Sequence, residues 1–311
     1  MAFSIAPVFH LVHLVKHFYT VEIKVLLQAL ARPWFIEQSQ ASIYAAQLHD
    51  FLHLGKRFDA VPNQDTRSDY WGTAYEFPRV DANGNVTKDG SVQLVKIEGP
   101  VMKYDYCGAM GMERLQQGIR AANADASISS IVLLIDSPGG TVDGTHNLSR
   151  EIAACTKPVI AFVNGMMCSA AYWIGSSAKE IIADDANNGY NATIGSIGTM
   201  CMWQDTTEAD KAKGIKTNIV TATKSTLKTK AFQDIQAGDY TRLIKELDNL
   251  NETFLSAVQT NRSGKLNEDY LGVLNGETYD AKEALKAGLI DRVANLQYAI
   301  KRSLQLAKTI K

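Results

Sequence analysis

The sequence predicts an α/β fold built around a mostly parallel sheet. Two runs, Ser130–Ile135 (SIVLLI) and Lys157–Asn164 (KPVIAFVN), are almost continuously apolar, as strands buried on both faces are. Segments of helical periodicity, each about ten residues long, separate these runs from each other and from further strand-like stretches, which is the pattern of βα units. Composition agrees: 46% of the 311 residues are hydrophobic and 21% charged, enough for a sizeable core and too apolar for wholesale disorder.

In chain order, residues 5–31 are apolar-rich, but Lys16, Glu22 and Lys24 interrupt any stretch of roughly 18 residues that would span a bilayer. The first basic residue lies behind the apolar stretch, unlike the basic start of a signal peptide. His10, His13 and His17 repeat at helical spacing, with no carboxylate or cysteine to complete a metal site, so they read as one face of an amphipathic helix. Residues 36–54 read as a second helix, giving a helical N-terminal extension over 1–60. Residues 61–90 form a linker or hairpin region, marked by Pro62, Asn83-Gly84 and Asp89-Gly90.

From residue 91 the pattern becomes regular. Ser91–Met102 alternates as a strand, and Met112–Ala124 is helical. The run 130–135 is a strand that ends at Asp136-Ser137-Pro138-Gly139-Gly140. Asp143 caps a helix to Cys155, and the strand 157–164 ends at Gly165. A helix follows over Cys168–Ala178, then a short strand at Glu180–Ala183 and a strand-like stretch, Ala192–Met202. Thr206–Lys213 is helical, Ile215–Ala222 a strand and Ile235–Asn261 a long helix. Ala281–Gly288 is a short helix closed by glycine, and the last helix runs to the C-terminus, with 301–311 as its end.

Several function classes are excluded or disfavoured. Lys and Arg number 32 against 33 Asp and Glu, a net charge of −1 that steers neither nucleic acid nor an anionic membrane. No GxGxxG or GxxxxGK[ST] is present. Cys107, Cys155, Cys168 and Cys201 form no CxxC pair, so zinc has no ligand spacing, and reduced thiols in a cytoplasmic protein are expected.

Two strand-to-helix junctions carry the chemistry. At the first, Gly139 and Gly140 follow a buried strand, where amides unobstructed by Cβ atoms can face a developing oxyanion; a plain tight turn reads the same way. At the second, Ser169 stands where a strand gives way to a helix, among small neighbours. By position alone it is also an ordinary N-cap serine. Cys168, beside it, reads as a small buried hydrophobe. A serine nucleophile needs a base. All six histidines precede Ser169, so a triad with a downstream histidine is impossible, and His146 reads as solvated or capping. A lysine held neutral can take that role, and Thr221–Lys230 supplies Lys224, Lys228 and Lys230.

Together these segments resemble the signal peptide peptidase A family of serine peptidases, which includes phage capsid-maturation proteases. The likeness rests on IDSPGGTVDG (135–144), NGMMCSAAYWIGSSAKEIIAD (164–184), ATIGSIGTM (192–200) and NGETYDAKEALKAGLIDRV (275–293), and covers roughly residues 91–300. It implies a Clp protease or crotonase-like spiral of ββα units. It also implies that Ser169 is the nucleophile, that Gly139 and Gly140 border the oxyanion hole with Ala170 beside them, and that Ser196 orients the catalytic lysine. Lys228 fits that lysine best, with Ser225 three residues before it where the family has glycine; Lys224 is the alternative. A second departure is Ser169-Ala170-Ala171-Tyr172, where the family has Ser-Gly-Gly-Tyr. The implied reaction is hydrolysis of peptide bonds through an acyl-enzyme, with a peptide or protein substrate, a homo-oligomeric assembly and no metal or organic cofactor. A phage- or prophage-type head protein protease is the favoured biology, with residues 1–60 as a docking segment or propeptide. A membrane-associated signal peptide peptidase and a crotonase-type acyl-CoA-binding enzyme are the alternatives.

Overall fold

The computed structural model describes residues 77–105, 110–189, 191–203, 205–216 and 218–309, together with the backbone of 34–36. Strands are β1 (Trp34–Ile36), β2 (Arg79–Val80), β3 (Val92–Glu98), β4 (Ser130–Ser137), β5 (Gly139–Thr141), β6 (Val159–Cys168), β7 (Glu180–Ala183), β8 (Thr193–Gly195), β9 (Thr278–Tyr279) and β10 (Arg292–Val293). Helices are α1 (Met112–Ala124), α2 (Thr145–Ala153), α3 (Ala170–Ser176), α4 (Thr207–Ala212), α5 (Lys230–Gln236), α6 (Thr241–Asn261), α7 (Ala281–Lys286) and α8 (Leu296–Thr309).

The main sheet runs β10-β7-β6-β4-β3-β2, with β8 pairing the far end of β6 and β9 pairing β8. Every pairing from β3 to β10 across the centre is parallel, as is β6 with β8; β2 and β9 add antiparallel edges. Both faces are covered, which is why the central strands read as unbroken apolar runs. Ile131, Leu133 and Ile135 of β4 face a core built with α1, α2, α3 and α6, while Val132 faces a second core with Ile300 and Leu306 of α8. This is the α/β, mostly parallel architecture that the apolar runs predict.

Local departures have local causes. Gly165 does not end the third apolar strand: β6 continues to Cys168 through a register shift against β4. Asp143 does not cap α2; its N-cap is Gly144 at φ 96°. The long helix expected over 235–261 is two helices, parted near Gly238 (φ 77°). The stretch read as a strand at 215–222 carries no regular element where described, and Ile215, Ile219 and Val220 are exposed rather than sheet-buried. The helices read at 5–31 and 36–54 lie outside the described residues, except that Trp34–Ile36 form a strand within the expected helical extension. Main-chain pairing with β5 explains that difference, since propensity gives way to an available strand edge.

The C-terminal part is locked by one buried ion pair. Arg262 is 1% exposed; its Nε and Nη2 donate to Gly288 O at 3.0 and 2.8 Å, and Nη1 pairs with Asp291 Oδ2 at 2.8 Å. Asp291 also accepts from the Ile181 amide, tying this corner to β7. Burial would raise the Asp291 carboxyl, but hydrogen bonds from Arg262 and Lys265 outweigh it and hold the group below its ordinary value. A depressed folded-state value means the contribution is present above the unfolded pKa and is lost as pH falls through the folded one. Asp291→Ala therefore destabilises by about 3–5 kcal/mol in urea unfolding at neutral pH, because a buried guanidinium is left uncompensated. The gap between wild type and variant narrows below about pH 4.

Candidate active site

The end of β4 and the bulge of β6 fit each other through one carboxylate. Asp136 accepts the Met166 amide at 2.9 Å, and a Cβ on Gly165 would lie 2.2 Å from Asp136 Oδ1. A glycine is needed there for the two strand ends to meet. Beyond the bulge, Ser137 pairs with Met167, so the chain entering β5 and the chain entering α3 leave the sheet side by side.

β5 follows at once. Gly139 has φ 105°, a region open to glycine. A Cβ on Gly140 would lie 1.8 Å from Val101 O, so that position admits no side chain. The Gly139 amide donates to Ser137 Oγ at 3.2 Å. Of the two glycine amides, that of Gly139 is the one engaged by a side chain. Ser137 is a supporting residue that sequence reasoning passed over, although it stands inside the Asp-Ser-Pro-Gly-Gly motif. Gly140→Ala is expected to displace β5, read as faster amide hydrogen exchange at residues 139–141 than in wild type.

Ser169 lies between β6 and α3 at φ 52°, ψ −119°, and is fully buried. A non-glycine residue there stores roughly 1–3 kcal/mol of backbone strain. Ser169 occupies the N-cap position, yet its hydroxyl makes no capping bond; Oγ instead donates to Gly198 O at 3.4 Å. The N-cap reading of this serine thus fails on geometry. Its carbonyl accepts the Trp173 amide at 3.0 Å, opening α3. The Ala170 amide, in the first helical turn, has no intrahelical acceptor and stands next to the serine. α3 also packs against β5.

Ser196 shares this corner. The Ser169 amide donates to Gly195 O at 2.8 Å, so the serine is bonded to residues on both sides of Ser196. Ser196 itself has φ 51° and donates its amide to Glu277 O at 2.7 Å. Ser169 and Ser196 are the two described non-glycine residues with positive φ, and they adjoin. Gly198, whose carbonyl receives the hydroxyl, is a further contact; its signal was the Gly-Ser-Ile-Gly text.

Among the described residues, no hydrogen bond joins the lysines to this cluster. Lys224 and Lys228 are exposed, in a stretch of turns. Among the described residues neither makes an ion pair or a side-chain hydrogen bond, whereas Lys230 pairs with Asp234. The hydrogen bond of Ser169 Oγ goes to a carbonyl and not to a lysine. Competing nucleophiles are quiet: Cys168 is buried with Sγ 3.4 Å from Thr193 O, and burial pushes the Cys155 thiol up to about 11 and raises Cys201. Cys107 lies outside the described residues. His146 is exposed and meets Trp173 edge-on at 5.9 Å, and the other five histidines lie outside the described residues. The described residues hold no cluster of three or more His, Cys, Asp or Glu able to bind a metal, and no helix long and apolar enough to cross a membrane.

Comparison with known proteins gives a family and several similar proteins. The profile of peptidase family S49 matches residues 151–310. Protease 4 of Haemophilus influenzae is 27% identical over 221 residues, covering 69% of this chain and 34% of that protein. Capsid assembly protease C of Escherichia phage lambda is 27% identical over 206 residues, covering 63% of this chain and 43% of that protein. The chain thus spans well under two thirds of the length of either relative. Among solved structures, a ClpP1 variant from Listeria monocytogenes aligns with a TM-score of 0.42 and 14% identity, over 67% of this chain and 94% of that one.

Proposed function

Because this chain belongs to peptidase family S49, we propose that it is a serine endopeptidase in which Ser169 is the nucleophile and Lys228 the general base. The observation that carries the reading is the strained turn at Ser169, which withholds the hydroxyl from capping α3 and leaves it one long hydrogen bond, 3.4 Å to Gly198 O. Such a hydroxyl is held ready for attack rather than used for structure.

In the proposed reaction, neutral Lys228 takes the Ser169 proton as Oγ adds to a peptide carbonyl. The Gly140 and Ala170 amides bind the oxyanion, with Gly139 shaping the turn that aims them. The tetrahedral intermediate collapses, the C–N bond breaks, and the lysine ammonium returns its proton to the leaving amine. Water then hydrolyses the ester. Ser196 orients the lysine.

Lys228 is exposed in the single chain, and its stretch carries exposed apolar side chains, Ile219, Val220, Leu227 and Phe232 among them. This supports a homo-oligomer in which that stretch is covered and Lys228 is brought to the dry site. A phage-type head protein as substrate is supported by the likeness to the capsid assembly protease. The test is labelling with a fluorophosphonate probe, mapped by mass spectrometry. A single adduct on Ser169 is expected; an unlabelled protein, or an adduct elsewhere, overturns the reading.

A further inference from the structure

β5 has two edges, and its glycines make it almost pure main chain. Val101 takes one edge: the Val101 amide donates to Gly139 O at 2.8 Å, and the Thr141 amide donates to Val101 O at 2.9 Å. Strand alternation therefore turns the N–H and C=O of Gly140 to the other edge. Along that edge runs β1, antiparallel, with Trp34 opposite Thr141, Phe35 opposite Gly140 and Ile36 opposite Gly139. Among the described residues β1 pairs with no other strand.

Antiparallel residues that face each other on the bonding side exchange both hydrogen bonds. The Phe35 carbonyl is then the acceptor for the Gly140 amide. Under the proposed function, that amide is the one that receives the oxyanion. The chain's own segment thus lies along the edge of β5, with Phe35 opposite Gly140.

We propose that residues 34–36 occupy the open edge of β5 as an internal substrate. The inference rests on the peptidase reading. It assigns the Phe35–Ile36 bond as a cleavage site. Ser169 Oγ adds to the Phe35 carbonyl carbon, the bond to Ile36 nitrogen breaks, and the lysine delivers a proton to that amine. Water releases the acyl group, leaving a carboxylate on Phe35 and a free amine on Ile36. Until cleaved, the segment competes with any substrate supplied in trans. Main-chain recognition by an added strand tolerates many sequences, with specificity set elsewhere.

The test uses the full chain. Wild type is incubated alone and followed by intact mass and N-terminal sequencing; a new N-terminus at Ile36 is expected, and none in Ser169→Ala. In the uncleavable Ser169→Ala background, Phe35→Pro removes the amide facing Gly140 O. It is expected to speed hydrogen exchange at residues 139–141, a readout that needs no activity. In the active background, assayed before the new N-terminus at Ile36 accumulates, the same substitution lowers KM for a peptide substrate by at least about threefold, since the competent fraction rises. A peptide of residues 30–42 inhibits the Phe35→Pro enzyme competitively. If Ser169 takes up fluorophosphonate but exchange and KM are the same with and without Phe35→Pro, the internal-substrate inference is overturned while the peptidase stands. If Ser169 is not labelled at all, the peptidase reading itself falls.

Discussion

Ser169→Ala is expected to reduce peptide cleavage by at least about a thousandfold in kcat, the loss seen when an acyl-transfer nucleophile is removed. Its effect on stability should be small. The hydroxyl makes one long hydrogen bond, 3.4 Å to Gly198 O, and caps nothing. A second substitution separates chemistry from strain. Ser169→Gly also abolishes cleavage, but glycine adopts φ 52°, ψ −119° without a Cβ penalty. It should therefore unfold at higher urea than Ser169→Ala, by about 1–3 kcal/mol. Circular dichroism and urea melts on the three proteins, beside kinetics, check both halves. An inactive alanine variant with a collapsed fold would place Ser169 in structure rather than catalysis. A glycine variant no more stable than the alanine one would mean that the turn carries no strain.

Much of this site was legible in the sequence because it is made of small residues with one physical purpose. Gly139 and Gly140 had to follow a buried strand closely, and the 1.8 Å clash that a Cβ would make with Val101 O shows why no other residue stands at 140. Ser169 and Ser196 were legible by their motifs, though not their shared backbone strain, which no residue pattern announces. The buried strands were legible because a sheet covered on both faces leaves an unbroken apolar run. The stretch 215–222 misled for the same reason reversed: Ile215, Ile219 and Val220 look like a core strand, yet they face outward. Apolar residues report burial against something, and in one chain that something is absent among the described residues. Gly165 misled because glycine serves a bulge as well as a strand end, and the choice depended on the Asp136 carboxylate across the sheet. β1 left no trace at all, since its pairing is main chain to main chain.

The choice among the lysines is the step where sequence and structure each supply half. The resemblance leaves Lys228 and Lys224 as candidates, and Lys230 is paired with Asp234. Lys228→Ala is expected to lower kcat/KM by about a thousandfold or more, since a serine hydroxyl without a base is a weak nucleophile. Lys224→Ala should stay within a few-fold of wild type. Lys228→Arg should not rescue, because a guanidinium stays protonated and cannot accept the proton. An ammonium cannot accept it either, so the base must be neutral when Oγ attacks. The exposed apolar side chains on the same stretch add a concentration test. If Ile219, Val220, Leu227 and Phe232 are covered by another copy when Lys228 reaches the site, specific activity falls on dilution, and charged substitution at Leu227 mimics dilution. Activity that is independent of concentration, with Lys228→Ala inactive, would instead require the stretch to reach Ser169 within one chain.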